Sequence, residues 1–404
     1  MQKESTWDLI WKSLIGLFFL PCWWIQILQR RDPNLWVFGA WRGERYADNS
    51  KAIFEYVLTN HPEIQAWWVT KDANVYERLK SQCLPVVMAH STEGRRIQRR
   101  ASIAFISWGI DGDMDARYLN GCKIALLWHG MPLKMIGEDE WNFKQKNDVW
   151  KRIKTKFRKL VLPYEFIRQK AVRQDNLWTL STAPFFTPFL QSAWQLASPF
   201  VLEIGYPRND NLFSSKRENL IDELDRHFNH PVKVMYMPTF RDSVGVGFNP
   251  FALAGFNPGS FSRILQEKNM VFIYKGHFCD QNNEFSDGGR MITVGDDDYE
   301  DLYTFVKDID VLITDYSSIY FDFLLCHKPI ILFPFDLDDY IAHSRPFYFD
   351  YKKLGCKCVF SWSEMEETLK NNNYSVPSME TVALFNHYQD GRSCERLFNA
   401  LRNE

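Results

Sequence analysis

Two imidazoles stand directly after short apolar runs, and each adjoins a glycine. His129 follows Lys123–Trp128 and leads into Gly130-Met131-Pro132-Leu133-Lys134, where Gly130 frees the backbone and Pro132 fixes it. His277 closes Lys275-Gly276-His277 after Val271–Lys275, so an ammonium lies beside the second imidazole. An imidazole with an ordinary pKa of about 6.5 can take a proton from an alcohol near neutral pH. A lone histidine is more often structural, so the other run ends carry the weight. Val201–Tyr206 enters Pro207-Arg208-Asn209-Asp210, which places a planar guanidinium where it could grip a phosphate. Val232–Met237 ends in Pro238-Thr239-Phe240-Arg241-Asp242. Val311–Thr314 ends in Asp315-Tyr316-Ser317-Ser318, and Ile319–Leu325 then has helical spacing. Serines at a helix start combine hydroxyls, free N–H groups and the positive dipole end, although either alone could be an ordinary cap. Asp322 falls about one turn into that helix. Together these groups describe an anion site.

Metal chemistry is less well supported. Asp111-Gly112-Asp113-Met114-Asp115, Asp296-Asp297-Asp298 and Asp336-Leu337-Asp338-Asp339 supply carboxylates, but such strings are common in loops. The eight cysteines are scattered, without a CxxC pair or a Cys/His cluster, a pattern that fits a reducing compartment. No metal is expected.

The elements that must carry these residues alternate. Leu35–Ala40, Gln65–Thr70, Val86–Ala89, Ile103–Trp108 and Lys123–Trp128 read as strands, with helical stretches such as Ser50–Asn60 and Asn74–Ser81 between most of them. Val201–Tyr206, Val232–Met237, Val271–Lys275, Val311–Thr314 and Ile330–Phe333 repeat the pattern. Continuous apolar strands indicate parallel sheets covered on both faces, hence an α/β chain of two doubly wound halves. Pro184, Pro188 and Pro199 interrupt the pattern, so the halves are expected at 33–198 and 199–375, with a helical tail at 376–404. Ligands of such folds bind outside the carboxyl ends of the strands.

The 48 Lys+Arg against 50 Asp+Glu argue against a nucleic-acid partner. An aromatic content of 16% fits an aromatic-rich core, or contact with lipid or sugar. Ser13–Leu28 is uncharged, flanked by Arg30 and Arg31, rich in tryptophan nearby, and short for a span. Residues 1–32 therefore read as an interfacial anchor, with a buried helix or a true span as the alternatives. Residues 144–173 carry 11 Lys/Arg and two acidic residues among Trp150, Phe157 and Phe166. That stretch is either a solvated helix face or a patch for anionic lipid or a phosphate polymer.

At these motifs the sequence resembles the CDP-glycerol glycerophosphotransferases, the teichoic acid primases and polymerases. The matching blocks are WHGMPLKMIG (128–137), GYPRND (205–210), MPTFRD (237–242), Lys275-Gly276-His277 and DVLITDYSSIYFDFLLCHKPIILFPFDLDDY (310–340), with a weaker match at 45–72. The similarity covers roughly residues 35–375. It implies a GT-B architecture: two Rossmann-like domains with a donor crevice between them. It also implies attack by an acceptor hydroxyl on the phosphorus bearing the alditol, releasing CMP. By motif, His129 looks like the general base, and His277 with Ser317 and Ser318 would hold the pyrophosphate. Gly130, Met131, Pro132, Leu133, Arg208, Pro238, Thr239, Lys275, Gly276 and Asp322 look like donor-binding positions. Met131, Met237 and Phe278 depart from the usual motif residues and could tune the choice between a glycerol and a ribitol donor. The implied partners are a CDP-alditol donor, a lipid-linked or polymer acceptor and an anionic membrane surface. No cofactor is implied beyond the CDP-glycerol substrate. The expected place is the cytoplasmic face of the cell membrane, peripherally bound, and the oligomeric state stays open. The alternatives are a GT-B glycosyltransferase using a nucleotide sugar, and a non-catalytic assembly subunit.

Overall fold

The computed structural model describes residues 21, 23–146, 176–239, 249–253, 255–276, 289–296, 298–299 and 301–402. The chain divides into two compact units, one drawn from 1–129, 136–208 and 392–404, the other from 130–135 and 209–391.

The first unit is a seven-stranded, wholly parallel sheet in the order β3-β2-β1-β4-β5-β6-β7. Its strands are β1 (Asp32–Phe38), β2 (Gln65–Thr70), β3 (Val86–Met88), β4 (Ala101–Ile106), β5 (Lys123–Leu126), β6 (Leu177–Ser181) and β7 (Val201–Glu203). The last four residues of β1, all five of β6 and the last four of β4 are buried, as strands covered on both faces must be. Phe38 stacks on Phe105 across β1 and β4 with centroids 4.6 Å apart, and Trp36 and Trp68 are fully buried. Much of the aromatic content is thus core.

The second unit holds a six-stranded parallel sheet in the order β10-β9-β8-β11-β12-β13. The strands are β8 (Val232–Met237), β9 (Met270–Tyr274), β10 (Met291–Thr293), β11 (Val311–Thr314), β12 (Ile330–Leu332) and β13 (Lys357–Cys358). Trp362 is at the centre of its core among Tyr236, Phe261, Phe272 and Phe333, with its indole N–H donated to Pro250 O at 2.9 Å. In each sheet the first three strands run outward one way and the next three the other, the dinucleotide-binding order. The switch points lie between β1 and β4 and between β8 and β11. Both halves are therefore Rossmann-like, as expected.

The expected boundaries need correction. Val201–Glu203 pairs with β6, so it belongs to the first sheet, and the chain leaves that unit only after Arg208. Pro188 and Pro199 sit in the first turns of the short helices Thr187–Trp194 and Ser198–Phe200, and the sheet continues past all three prolines. The expected tail is also divided: the helix Ser393–Arg402 belongs to the first unit, where Phe398 packs on Trp36 at 5.2 Å and Arg402 pairs with Glu63. Residues 130–135 cluster with the second unit, so the His129 motif changes units inside itself.

Most of the anchor, residues 1–20 and Cys22, lies outside the described residues, as do residues 147–173 of the basic stretch. Its visible end is mixed: Trp23 is buried and Asn120 bonds its carbonyl, while Trp24, Ile25, Ile27 and Leu28 are exposed. Arg31 is not a membrane-flanking charge. Its guanidinium donates to the carbonyls of Gln98, Arg99, Ala101, Tyr118 and Asn120, a cation closing the carboxyl end of the helix Thr92–Arg100. Among the described residues no helix is long and apolar enough to cross a membrane.

Candidate active site

In the first unit the strand ends nearest the switch point converge on His129. Two residues after β5, Trp128 takes a left-handed φ of +56° and Gly130 a φ of 157°, so the chain turns sharply around the imidazole. That turn is held from outside. Asn49 Nδ2 donates to the Trp128 carbonyl at 3.1 Å, and Arg208 Nη1 donates to the His129 carbonyl at 3.1 Å. Asn49 Oδ1 in turn accepts the Arg208 N–H at 3.1 Å, which locks the two clamps together. The ring is half-buried among three indoles: Trp128 at 4.1 Å, Trp108 stacked nearly parallel at 5.2 Å, and Trp41 at 5.4 Å. His129 Nδ1 lies 3.5 Å from the Ser107 carbonyl. A carbonyl can only accept, so this contact favours the Nδ1–H tautomer and makes Nε2 the basic nitrogen.

The loops bearing Trp41 and Trp108 are tied by one carboxylate. Asp113 is fully buried and accepts N–H bonds from Arg42 at 2.7 Å, Ser107 at 2.7 Å and Trp108 at 2.8 Å. Burial pushes its carboxyl above the usual range, and those N–H donors oppose the shift. Ser107 Oγ also accepts the Trp41 N–H at 2.9 Å, and Lys71 bonds the Gly112 carbonyl. The Asp111-Gly112-Asp113 string thus gives a loop clamp. Among the described residues no group of three or more His, Cys, Asp or Glu could hold a metal ion.

Arg208 differs from expectation. Its side chain is 6% exposed and pairs with Asp48 Oδ1 at 2.7 Å, inside the first unit. It braces His129 and is not presented to a phosphate. Neither "Pro-Arg" nor "Asn-Asp" in the sequence reveals that a carboxylate some 160 positions earlier claims it.

In the second unit the same switch-point logic holds. Asp315, fully buried after β11, accepts the Thr239 N–H at 2.8 Å and so ties the Pro238-Thr239 end of β8. Ser317 and Ser318 follow, both half-buried. Ser318 is already helical (φ −67°, ψ −15°) and makes no side-chain cap, so the ordinary N-cap reading fails and its hydroxyl is not used on its own helix. Asp322 is 1% exposed, accepting from Asn209 Nδ2 at 3.0 Å and the Tyr303 hydroxyl at 2.9 Å. It is a buried brace and does not face a ligand as expected. Lys275 at the end of β9 pairs with Asp296 at 2.7 Å and lies over the Tyr299 ring. A side chain at Gly276 would meet the Tyr274 ring at 3.2 Å, so glycine allows this close approach. His277 lies outside the described residues, as do Arg241 and Asp242. Gly130, Met131, Pro132 and Leu133 are buried, with Leu133 O accepting from Tyr348 N at 2.8 Å and Met135 N donating to Pro346 O at 2.8 Å. They form a fixed strap whose side chains face the interior.

The sequence also matches known proteins over nearly its whole length. The teichoic acid glycerol-phosphate transferase of Staphylococcus aureus is 30% identical over 383 residues, covering 91% of this chain and 92% of that protein. The teichoic acid poly(glycerol phosphate) polymerase of Bacillus subtilis is 25% identical, covering 90% of this chain but 48% of its own length, so the chain spans about half of that relative. The solved structure of the wall teichoic acid polymerase TagF superposes with a TM-score of 0.69 at 22% identity, covering 99% of this chain and 98% of that one, which supports the fold. The profile of the CDP-glycerol:poly(glycerophosphate) glycerophosphotransferases matches residues 23–403, and the chain belongs to that family.

Proposed function

We propose that the chain transfers glycerol phosphate from CDP-glycerol to a hydroxyl of a teichoic-acid-type acceptor and releases CMP. The observation that carries this reading is the His129 imidazole, braced through two backbone carbonyls and walled by indoles in a member of this family. The acceptor oxygen forms a bond to the phosphorus bearing glycerol. The bond from that phosphorus to the bridging oxygen breaks, and CMP leaves with the electron pair. His129 Nε2 takes the hydroxyl proton as the new bond forms. Thr239, Lys275, Gly276, Ser317 and Ser318 bind the donor, and His277 with the two serines offsets charge on the departing CMP. Pro238 and the strap Gly130–Leu133 shape that site through their backbone. The reaction uses no cofactor, since positioned donors and a base suffice for phosphoryl transfer.

The protein works peripherally at the cytoplasmic face of the membrane, where residues 1–32 supply apolar insertion and residues 144–173 attract anionic lipid. Removing residues 1–30 or neutralising Lys151–Lys159 should each weaken sedimentation with anionic liposomes, and full sedimentation of both variants would refute the attachment.

Incubation with CDP-glycerol and a lipid-linked acceptor should release CMP and add glycerol phosphate to the product by mass. His129→Ala should lower turnover by about 10²–10⁴-fold while CDP-glycerol still binds. Undiminished turnover would remove His129 as the base, and preference for UDP- or GDP-sugars would overturn the donor assignment.

A further inference from the structure

Three consecutive residues after β1 carry positive φ: Trp41 at +48°, Arg42 at +62° and Gly43 at +78°. Glycine takes this backbone freely, whereas tryptophan and arginine are strained there. The strain persists because the loop is over-determined. Trp41 N–H and Arg42 N–H are bound by Ser107 and Asp113, while the Thr70 hydroxyl at 2.6 Å and Lys71 N–H at 2.7 Å both donate to Gly43 O. Strain held this firmly in a loop beside a chemical group points to function.

The strained backbone sets two side chains beside the imidazole. Trp41 forms one wall of His129, and the Arg42 guanidinium lies 4.8 Å over Trp108, the indole stacked on His129. Arg42 is exposed and Trp108 is 39% exposed, so a cation and an apolar face are both presented one ring away from the base. A hydroxyl that gives its proton to His129 must lie against these indoles. If it belongs to a terminal glycerol phosphate, its own phosphate is separated from it only by the glycerol backbone.

We infer that Arg42, seated on Trp108, binds the phosphate of the acceptor's terminal glycerol phosphate unit, with the Trp41 and Trp108 faces receiving its carbons. A guanidinium pairs with phosphate oxygens through parallel N–H donors, and a ring behind it holds the fork in place. This assignment rests on the proposed role of His129. It makes the loop after β1 the acceptor-reading element.

The test is steady-state kinetics with a soluble oligo(glycerol phosphate) acceptor and CDP-glycerol. Arg42→Gln should raise the acceptor KM about tenfold or more and leave the CDP-glycerol KM within about twofold. Arg42→Lys should recover part of the loss. Arg42→Gly removes the side chain and relieves the left-handed strain, so its melting temperature should hold or rise while the acceptor KM still climbs. That combination separates binding from a structural role, which would lower the melting temperature. An unchanged acceptor KM in both Arg42→Gln and Arg42→Gly, with normal CMP release by the wild type, would overturn the inference and leave the proposed reaction standing. A rise in CDP-glycerol KM alone would overturn it by moving Arg42 to the donor. A wild type that releases no CMP would overturn the underlying reaction, and this assignment with it.

Discussion

Replacing Arg208 with methionine distinguishes a brace from a phosphate ligand. The substitution keeps a similar apolar stem and removes the guanidinium. The losses include the ion pair with Asp48, in which the side chains are 6% and 5% exposed, the bond to the His129 carbonyl at 3.1 Å, and the guanidinium's place 5.1 Å over the Tyr206 ring. Removing one partner of a buried pair strands the other charge, at about 3–5 kcal/mol. With the charged hydrogen bond to His129 included, the loss should reach roughly 4–6 kcal/mol. That is a large part of the stability of an ordinary domain, about 5–15 kcal/mol.

Asp48→Asn added to Arg208→Met removes the stranded charge, and asparagine tolerates the φ of +68° at that position. The double variant should regain about half of the lost stability. It should not regain turnover, because the His129 carbonyl still lacks its donor. Urea unfolding followed by tryptophan fluorescence reads the first quantity, and CMP release at saturating CDP-glycerol reads the second. An Arg208→Met protein as stable as the wild type, with only a raised CDP-glycerol KM, would refute the brace and return Arg208 to the donor.

Asp113→Asn leaves one oxygen where two accept, so an amide N–H2 must face a backbone N–H of Arg42, Ser107 or Trp108. It should cost about 1–3 kcal/mol and lower turnover, and an unaltered melting curve would count against the clamp. Burial pushes the Cys122 and Cys326 thiols up to about 12 and Cys356 to about 11, whereas Cys83 is exposed. In a Cys22→Ser/Cys279→Ser background, iodoacetamide at about pH 8 should therefore modify Cys83 first by peptide mass, and early labelling of Cys122 would contradict this. Burial pushes the Asp225 carboxyl up, but Lys233, Arg217 and His230 outweigh it and hold the carboxyl below its ordinary value. A depressed carboxyl stabilises the fold above its unfolded pKa of about 3.9 and loses that contribution as pH falls. Asp225→Asn should thus be less stable at neutral pH and show a shallower loss between about pH 5 and about pH 3. An equally steep acid transition would exclude the role.

What the sequence reveals follows from which forces are local. Ten apolar runs announce buried parallel strands, and those strands are present with ends shifted by a few residues. Three strands escaped that reading. Leu177–Ser181 mixes Thr and Ser into its run, and Met291–Thr293 and Lys357–Cys358 are short outer strands with little apolar surface. The prolines before Val201 mislead because two of them open short helices and mark no domain boundary, whereas sheet membership depends on hydrogen bonds to another strand. The site shows the same division. His129, Thr239, Lys275 and the serines are legible as strand-end groups, since their positions need only the strand. Arg208, Asp322 and Asp113 have legible types but not directions, because each direction is set by a partner remote in sequence or by the backbone of several loops.

A common device orders both switch points. In the first unit, Asp113 and Ser107 accept the N–H groups of Arg42 and Trp41 at the end of β1. In the second, Asp315 accepts the N–H of Thr239 at the end of β8. Each clamp reaches from the strand beyond the switch point to the loop of the first strand. Each turns a carboxylate inward, where backbone N–H dipoles absorb its charge. An outward carboxylate in either place would repel a diphosphate or an anionic polymer end. The inward clamps keep that negative charge off the rim and spend no side chain of the rim on fixing the loops. The first unit then presents an imidazole and a guanidinium after its strands, and the second presents hydroxyls and an ammonium after its own, groups that suit phosphate-bearing substrates and a proton to be moved.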